Sequence, residues 1–292
     1  MNIRKDSGPL KWILIGISVL FLFVMLILPL SYVMYTAFSK GIKVFLAAVT
    51  DKYALHSIKL TIEVSLIAVV CNTFFGIFAS WLITKFQFKG KKIISTLIDL
   101  PLTVSPIIAG LIYVLTFGRQ SFIYPYLKAM GVRIIFAVPG IVLATIFVTF
   151  PFISRELIPV LTSQGTDEEE AAALMGANGW TIFWKVTFPH IKWPLLYGIV
   201  LCTARAMGEF GAVSVLSGHL RGRTNTMPLY IELLYQGYDF TGAFAVSAIL
   251  VLMAVIILVL RSVLEYKGQQ AAERLPLPCT GSLISCIMTG KI

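Results

Sequence analysis

Charge is scarce in this chain of 292 residues, only 13% of which are Asp, Glu, Lys or Arg, so the charged residues lying among apolar ones are the first candidates for chemistry. Arg205 and Glu209 stand four residues apart inside the apolar stretch 193–218. An uncompensated charge at the centre of a bilayer costs about 3 kcal/mol on insertion scales. At helical spacing the two share a face and can pair. Such a pair either braces a helix bundle or borders a pathway for a charged solute. In the second reading Arg205 attracts an anion and Glu209 prevents a permanent trap. Gly208 and Gly211 beside them allow a bend or the close approach of another backbone.

The second group is Asp167-Glu168-Glu169-Glu170, four consecutive acids followed by Ala171-Ala172-Ala173-Leu174-Met175-Gly176. That sequence is too polar for a membrane span and reads as a short helix. Thr166 is an expected N-cap, with Glu169 completing a capping box. Acids at positions 167–169 suit the positive end of the helix dipole, and Gly176 suits the left-handed position that ends a helix. A second short helix, about Trp180 to Val186, is expected to stop near Pro189. A third group, Arg221 and Arg223 in the glycine-containing stretch 218–226, is either an ordinary solvated loop or a contact for an anion or a docking protein.

Several chemistries are excluded. The chain has no Gly-Lys-Ser/Thr and therefore no phosphate-cradling P-loop. His56, His190 and His219 lie far apart with no acid or Cys at metal-ligand spacing, so no metal site is expected. Cys71, Cys202, Cys279 and Cys286 match no zinc or redox spacing. No serine elbow or carboxylate pair suggests hydrolysis, and no catalytic residue is assigned. The chain does not supply its own free energy.

The elements that must position these residues are membrane helices. Hydrophobic residues make up 58% of the chain, above the roughly 45–50% of globular proteins, and long charge-free windows recur near the roughly 20 residues that span a bilayer. Six spans are expected, at about 12–39 (kinked near Pro29), 60–84, 100–118, 134–154, 193–218 and 240–260. They make an all-α polytopic integral membrane protein. Residues 1–11 precede a transmembrane domain at 12–267, a polar loop fills 155–192, and 268–292 are read as a tail without ordered structure. The net charge of +10 belongs to Lys and Arg flanking apolar spans, where anionic lipid headgroups are the partner, and not to nucleic-acid binding. Six spans place both termini and the 155–192 loop on one side. That side carries fourteen Lys and Arg against nine on the other, which favours a cytoplasmic loop.

The spacing Glu170-Ala171-Ala172, three residues, Gly176, nine residues, Val186, one residue, Phe188-Pro189 resembles the EAA loop of ABC-transporter permeases. Phe136-Ala137-Val138-Pro139-Gly140, Thr149-Phe150-Pro151-Phe152, Arg155-Glu156-Leu157-Ile158-Pro159 and Ala204–Ala212 are similar to the permeases of sulfate, molybdate and tungstate importers. Gln164-Gly165-Thr166, Ser217-Gly218-His219 and Thr224–Leu229 resemble more narrowly the W-type permease of sulfate/thiosulfate importers.

The resemblance implies the architecture of a type I ABC importer permease in a bacterial cytoplasmic membrane, with both termini cytoplasmic. Its implied partners are ABC ATPase subunits that bind Mg-ATP, a second, T-type permease, an extracytoplasmic sulfate-binding protein, and the anion itself. Glu170, Ala171, Ala172, Gly176, Val186 and Pro189 would then form the joint with the ATPase. Molybdate or tungstate import, and an ion-coupled secondary transporter or channel, are the alternatives.

Overall fold

A computed structural model describes residues 9–274. The described chain is built from helices: α1 (Pro9–Leu22), α2 (Leu28–Phe38), α3 (Ile42–Val49), α4 (Lys52–Lys85), α5 (Lys91–Thr103), α6 (Pro106–Phe117), α7 (Tyr124–Ala129), α8 (Val138–Gln164), α9 (Asp167–Leu174), α10 (Gly179–Ile182), α11 (Phe188–Met207), α12 (Gly211–Ser217), α13 (Met227–Gln236) and α14 (Phe240–Arg274). Four continuous stretches are long and apolar enough to cross a membrane: Lys11–Phe38, Lys52–Lys85, Val138–Gln164 and Phe240–Lys267. Two bent pairs, α5 with α6 and α10–α11 with α12, bring the number to six when each counts as one span.

The centre of the bundle is α4 against α8. The buried face of α4 repeats small or short polar residues every three or four positions, at Ser57, Thr61, Ser65, Ala68, Asn72, Gly76 and Ser80. Such a stripe lets two backbones come close. At Gly76 an added Cβ would lie 2.9 Å from Ile153 Cγ2 of α8, so no larger residue fits. Asn72 donates from its amide to Ile146 O (3.2 Å) and Thr149 Oγ1 (2.8 Å), a polar tie inside an otherwise apolar contact. On this pair packs α11, closing a core of Val69, Ile153, Leu157, Leu161, Ile191, Leu195 and Cys202. α14 covers α11 and α13 and holds α2 and α3 on its other flank. α6 lies on α12 so closely that a Cβ at Gly110 would meet Ala212 O at 2.7 Å. The first span joins the bundle only near its end, where Ala37 packs with Phe45, Ala245 and Ala248; the most apolar window of Lys11–Phe38 is entirely unburied.

The prolines correct several expected boundaries. The stretch 100–118 is not one straight helix. Leu100–Thr103 is the last turn of α5, and the chain bends by 108° before α6 begins at Pro106. Val104 and Ser105 both have ψ 133°, and Ser105, which precedes Pro106, is driven there by the proline ring.

Pro189, by contrast, does not stop a helix. A π turn, Phe183–Thr187, joins α10 to α11, so the chain is helical from Gly179 to Met207. The first span repeats the device, with a π turn at Phe23–Ile27 immediately before Leu28-Pro29. In a regular helix the proline ring clashes with the carbonyl four residues back and leaves it without its donor. Widening the preceding turn by one residue relieves both demands.

α8 runs ten residues past Ser154 to Gln164, so much of the expected polar loop is helix. α14 continues to Arg274, beyond the expected domain end at 267. The remainder of the expected tail, 275–292, and the first eight residues lie outside the described residues.

Candidate functional site

The acidic helix α9 ends as its sequence asks and begins differently. Gly176 takes φ +84°, Gly176 N–H donates to Ala173 O (2.9 Å), and Ala177 N–H donates to Ala172 O (3.1 Å). These are the two bonds of a Schellman motif, which needs a residue free of a Cβ at this φ. At the other end the capping box does not form. Thr166 sits in the helical region with no side-chain cap bond.

Glu169 is withdrawn from capping by a better partner. Lys85 Nζ, at the last residue of α4, is 3.0 Å from Glu169 Oε1, and the two side chains are only 6% and 15% exposed. Thr187 Oγ1 donates to the same carboxylate oxygen at 2.6 Å, and Lys85 Nζ also donates to Gly165 O. One carboxylate therefore joins α9 to α4 and to the π turn that leads into α11. Glu168 adds an outer contact, with Oε2 2.9 Å from His190 Nε2.

With α9 clamped on that side, its other face is bare. Glu170, Ala171 and Gly176 are exposed, and Leu174 and Met175 are 91% and 82% exposed. Ala172 is buried, Val186 is half-buried within the π turn, and Pro189 is exposed one turn later. The six residues singled out by spacing thus fall in one compact segment, α9 to the start of α11, beside the C-terminal ends of α4 and α8.

Some 20 residues further along α11 the second charged pair forms across a break in the helix. α11 ends at Met207, and α12 starts at Gly211 after a 51° bend. Arg205 Nη1 lies 2.6 Å from Glu209 Oε2, the carboxylate being almost fully buried and the guanidinium side chain one-third exposed. Glu209 Oε1 accepts from Ala212 N–H at 2.8 Å. The carboxylate thus satisfies an N–H in the first turn of α12 that the break leaves without a helical partner. Pro106 approaches Gly211 so closely that a Cβ there would lie 3.0 Å from Pro106 Cβ.

At the far end of the bundle, Arg221 is already engaged. Its guanidinium carbon lies 4.9 Å from the Tyr53 ring centroid and 5.7 Å from that of Tyr230, whose hydroxyl donates to Asp51 Oδ2 at 3.2 Å. This cation–π bracket makes Arg221 part of the fold. Arg223 is exposed and forms no ion pair among the described residues.

Residues 72–269, two-thirds of the chain, match the family model "Binding-protein-dependent transport system inner membrane component". The chain belongs to this family. Among its relatives is the "Sulfate transport system permease protein CysW" of Escherichia coli (strain K12), 48% identical over 274 residues, with 93% of this chain and 94% of that protein covered. The protein of the same name from Synechocystis sp. (strain ATCC 27184 / PCC 6803 / Kazusa) is 44% identical, over 91% of this chain and 96% of that one. The fold is that of a bacterial ABC transporter involved in the import of the acidic polysaccharide alginate, with a TM-score of 0.72 at 18% identity, covering 89% of this chain and 96% of that chain. This is a multi-pass inner-membrane permease of the ABC-importer kind, and its relatives' description as transport permeases fits a non-catalytic subunit.

Two residues of the permease joint escaped the reading of its sequence. Lys85 stands 84 positions before Glu169 among three other lysines, and nothing local distinguishes it from Lys89, Lys91 or Lys92. Thr187 lies inside the EAA spacing at a position the pattern leaves unspecified. The one available signal was Lys85's place as the last residue of an apolar span, where its ammonium must find either water or a carboxylate.

Proposed function

We propose that this chain is one of two membrane subunits of an ATP-driven importer of sulfate and thiosulfate, with α9 as the joint to a separate ATPase. The observation that carries this reading is a rigid polar helix, clamped by Lys85–Glu169 on one side and bare on the other, in a chain of a permease family. A rigid helix transmits a partner's motion, whereas a frayed one absorbs it. Leu174 and Met175 supply apolar surface to a groove on the ATPase, and Glu170 supplies a charge. Gly176 ends the helix without a side chain in the way.

ATP binding, with Mg-ATP held by the ATPase, closes the ATPase dimer and carries α9 with it. Through Lys85 and the π turn the displacement reaches α4 and α11 together. α11 leads to Arg205, whose one-third exposure leaves the guanidinium available to an anion at the junction with the second subunit. Only a difference in affinity between the two permease states allows nucleotide to shift them. The second subunit is a homologous T-type permease, and an extracytoplasmic sulfate-binding protein delivers the anion. The joint and both termini are cytoplasmic.

The test is uptake of labelled sulfate into proteoliposomes holding this permease, its partner permease, the ATPase and the binding protein. ATP-dependent uptake competed by thiosulfate is expected. Uptake without ATPase or ATP would make the chain a secondary transporter or channel, and stronger competition by molybdate or tungstate would reassign the cargo.

A further inference from the structure

At the end of the bundle opposite α9 lies a cavity of about 960 Å³ between the outer end of α6, the loop carrying α7, and the start of α8. α8 has 27 residues, so at about 1.5 Å per residue this cavity is roughly 40 Å from the Lys85–Glu169 clamp. Arg119, Lys128 and Arg133 all line it, and no carboxylate does. Residues 100–155 contain no Asp or Glu at all. None of the three cations forms an ion pair with another described residue.

The rest of the wall is mostly apolar, including Val114, Phe117, Leu127 and Ile135. Phe136 closes one side at φ +56°, an unusual conformation for a bulky residue, held by its N–H donating to Leu216 O at 3.0 Å. Its ring lies over Gly218, where a Cβ would come within 2.5 Å of it. Around the short helix α7, Phe122, Tyr126 and Met130 are 83%, 71% and 75% exposed. Aromatic and apolar side chains so displayed beside the end of a span are the mark of the membrane–water interface.

We propose that this cavity is a binding site for an anionic phospholipid of the leaflet opposite α9. The three cations receive the phosphodiester, and the apolar wall receives the start of the acyl chains. A small inorganic dianion matches the cations but leaves the apolar wall facing water. An amphiphilic anion satisfies both halves. The proposal requires a membrane-spanning chain and is independent of the cargo or the ATPase.

The experiment is titration of the purified complex, in zwitterionic detergent, with phosphatidylglycerol, phosphatidylcholine and sodium sulfate, counting bound lipid by native mass spectrometry. The wild-type chain is expected to retain one phosphatidylglycerol in preference to phosphatidylcholine. R119Q/K128Q/R133Q should bind it on the order of a hundredfold more weakly, about fivefold for each cation near the surface. R119K/R133K, which keeps the charge, should retain it. If the triple variant does not fold, K128Q alone carries the test with its own fivefold loss. Equal phosphatidylglycerol binding by wild type and the charge-removing variants overturns the proposal. So does displacement of the lipid by sodium sulfate beyond that produced by sodium chloride at equal ionic strength, which would make this an inorganic-anion site.

Discussion

Lys85–Glu169 and Arg205–Glu209 are the same chemistry put to different uses. Each is a cation against a nearly buried carboxylate, at 3.0 Å and 2.6 Å. The first joins residues 84 positions apart and fastens one element to two others. The second joins neighbours across a gap in one helix, and its carboxylate spends its other oxygen on the Ala212 N–H of the next segment. An ion pair's worth therefore depends less on its length than on what else its members hold. The first is a weld between separate elements, and the second is a splint within one.

Removing the splint should cost most. Glu209→Ala leaves the partly exposed Arg205 guanidinium without its partner, up to about 3 kcal/mol for breaking a largely buried pair, and loses a capping bond worth about 1 kcal/mol. A large fall in the thermal unfolding midpoint of the purified complex is expected. Reversal to R205E/E209R should not restore it, because arginine cannot accept from Ala212 N–H. Full recovery would mean that the cap contributes nothing.

Lys85→Met should come next, about 3 kcal/mol by the same argument. Here K85E/E169K is expected to recover part of the loss in unfolding midpoint. Uptake per ATP hydrolysed should fall in the single variant even at temperatures where it remains folded. Unchanged coupling there would reduce the weld to a splint like the other.

Gly176→Trp tests the joint with little change to the fold. No atom lies within 4 Å of the position where a Cβ would stand, so the internal cost is the left-handed backbone alone, about 1–2 kcal/mol. Assembly in the membrane is expected to persist, with ATP hydrolysis uncoupled from uptake. Normal uptake would show that no partner surface meets this turn.

Glu168→Gln should do least. Its contact with His190 is more than half exposed on the acid's side, and such pairs contribute about 1 kcal/mol or less. An unfolding midpoint within a degree or two of wild type is expected; a drop as large as that of Lys85→Met would mean the outer contact shares the weld.

What could be read beforehand followed from costs that act locally. Charges are so unfavourable in hydrocarbon that Arg205 and Glu209 announced themselves as a pair. Gly208 and Gly211 signalled the bend beside them, and Gly176 announced a left-handed turn. What escaped depended on competition between distant groups. Thr166 and Glu169 make a sound capping box on paper, but a lysine at the end of α4 offers the carboxylate a full charge in a nearly dry setting. The 108° turn at Val104-Ser105 was hidden for a different reason: its apolar flanks read as one straight span, and Pro106, which breaks the helix there, suits the first turn of a span equally well.

The π turn before Pro189 makes the length of this segment a functional quantity in its own right. A one-residue deletion within 183–185 would remove no side chain named in the joint. It would regularise the turn, bring the proline ring back against the carbonyl it now avoids, and rotate everything upstream by about 100° relative to α11. Leu174 and Met175 would then be presented to the wrong quarter of the circle. In-frame loss of a single codon here should therefore be as damaging to coupling as any substitution.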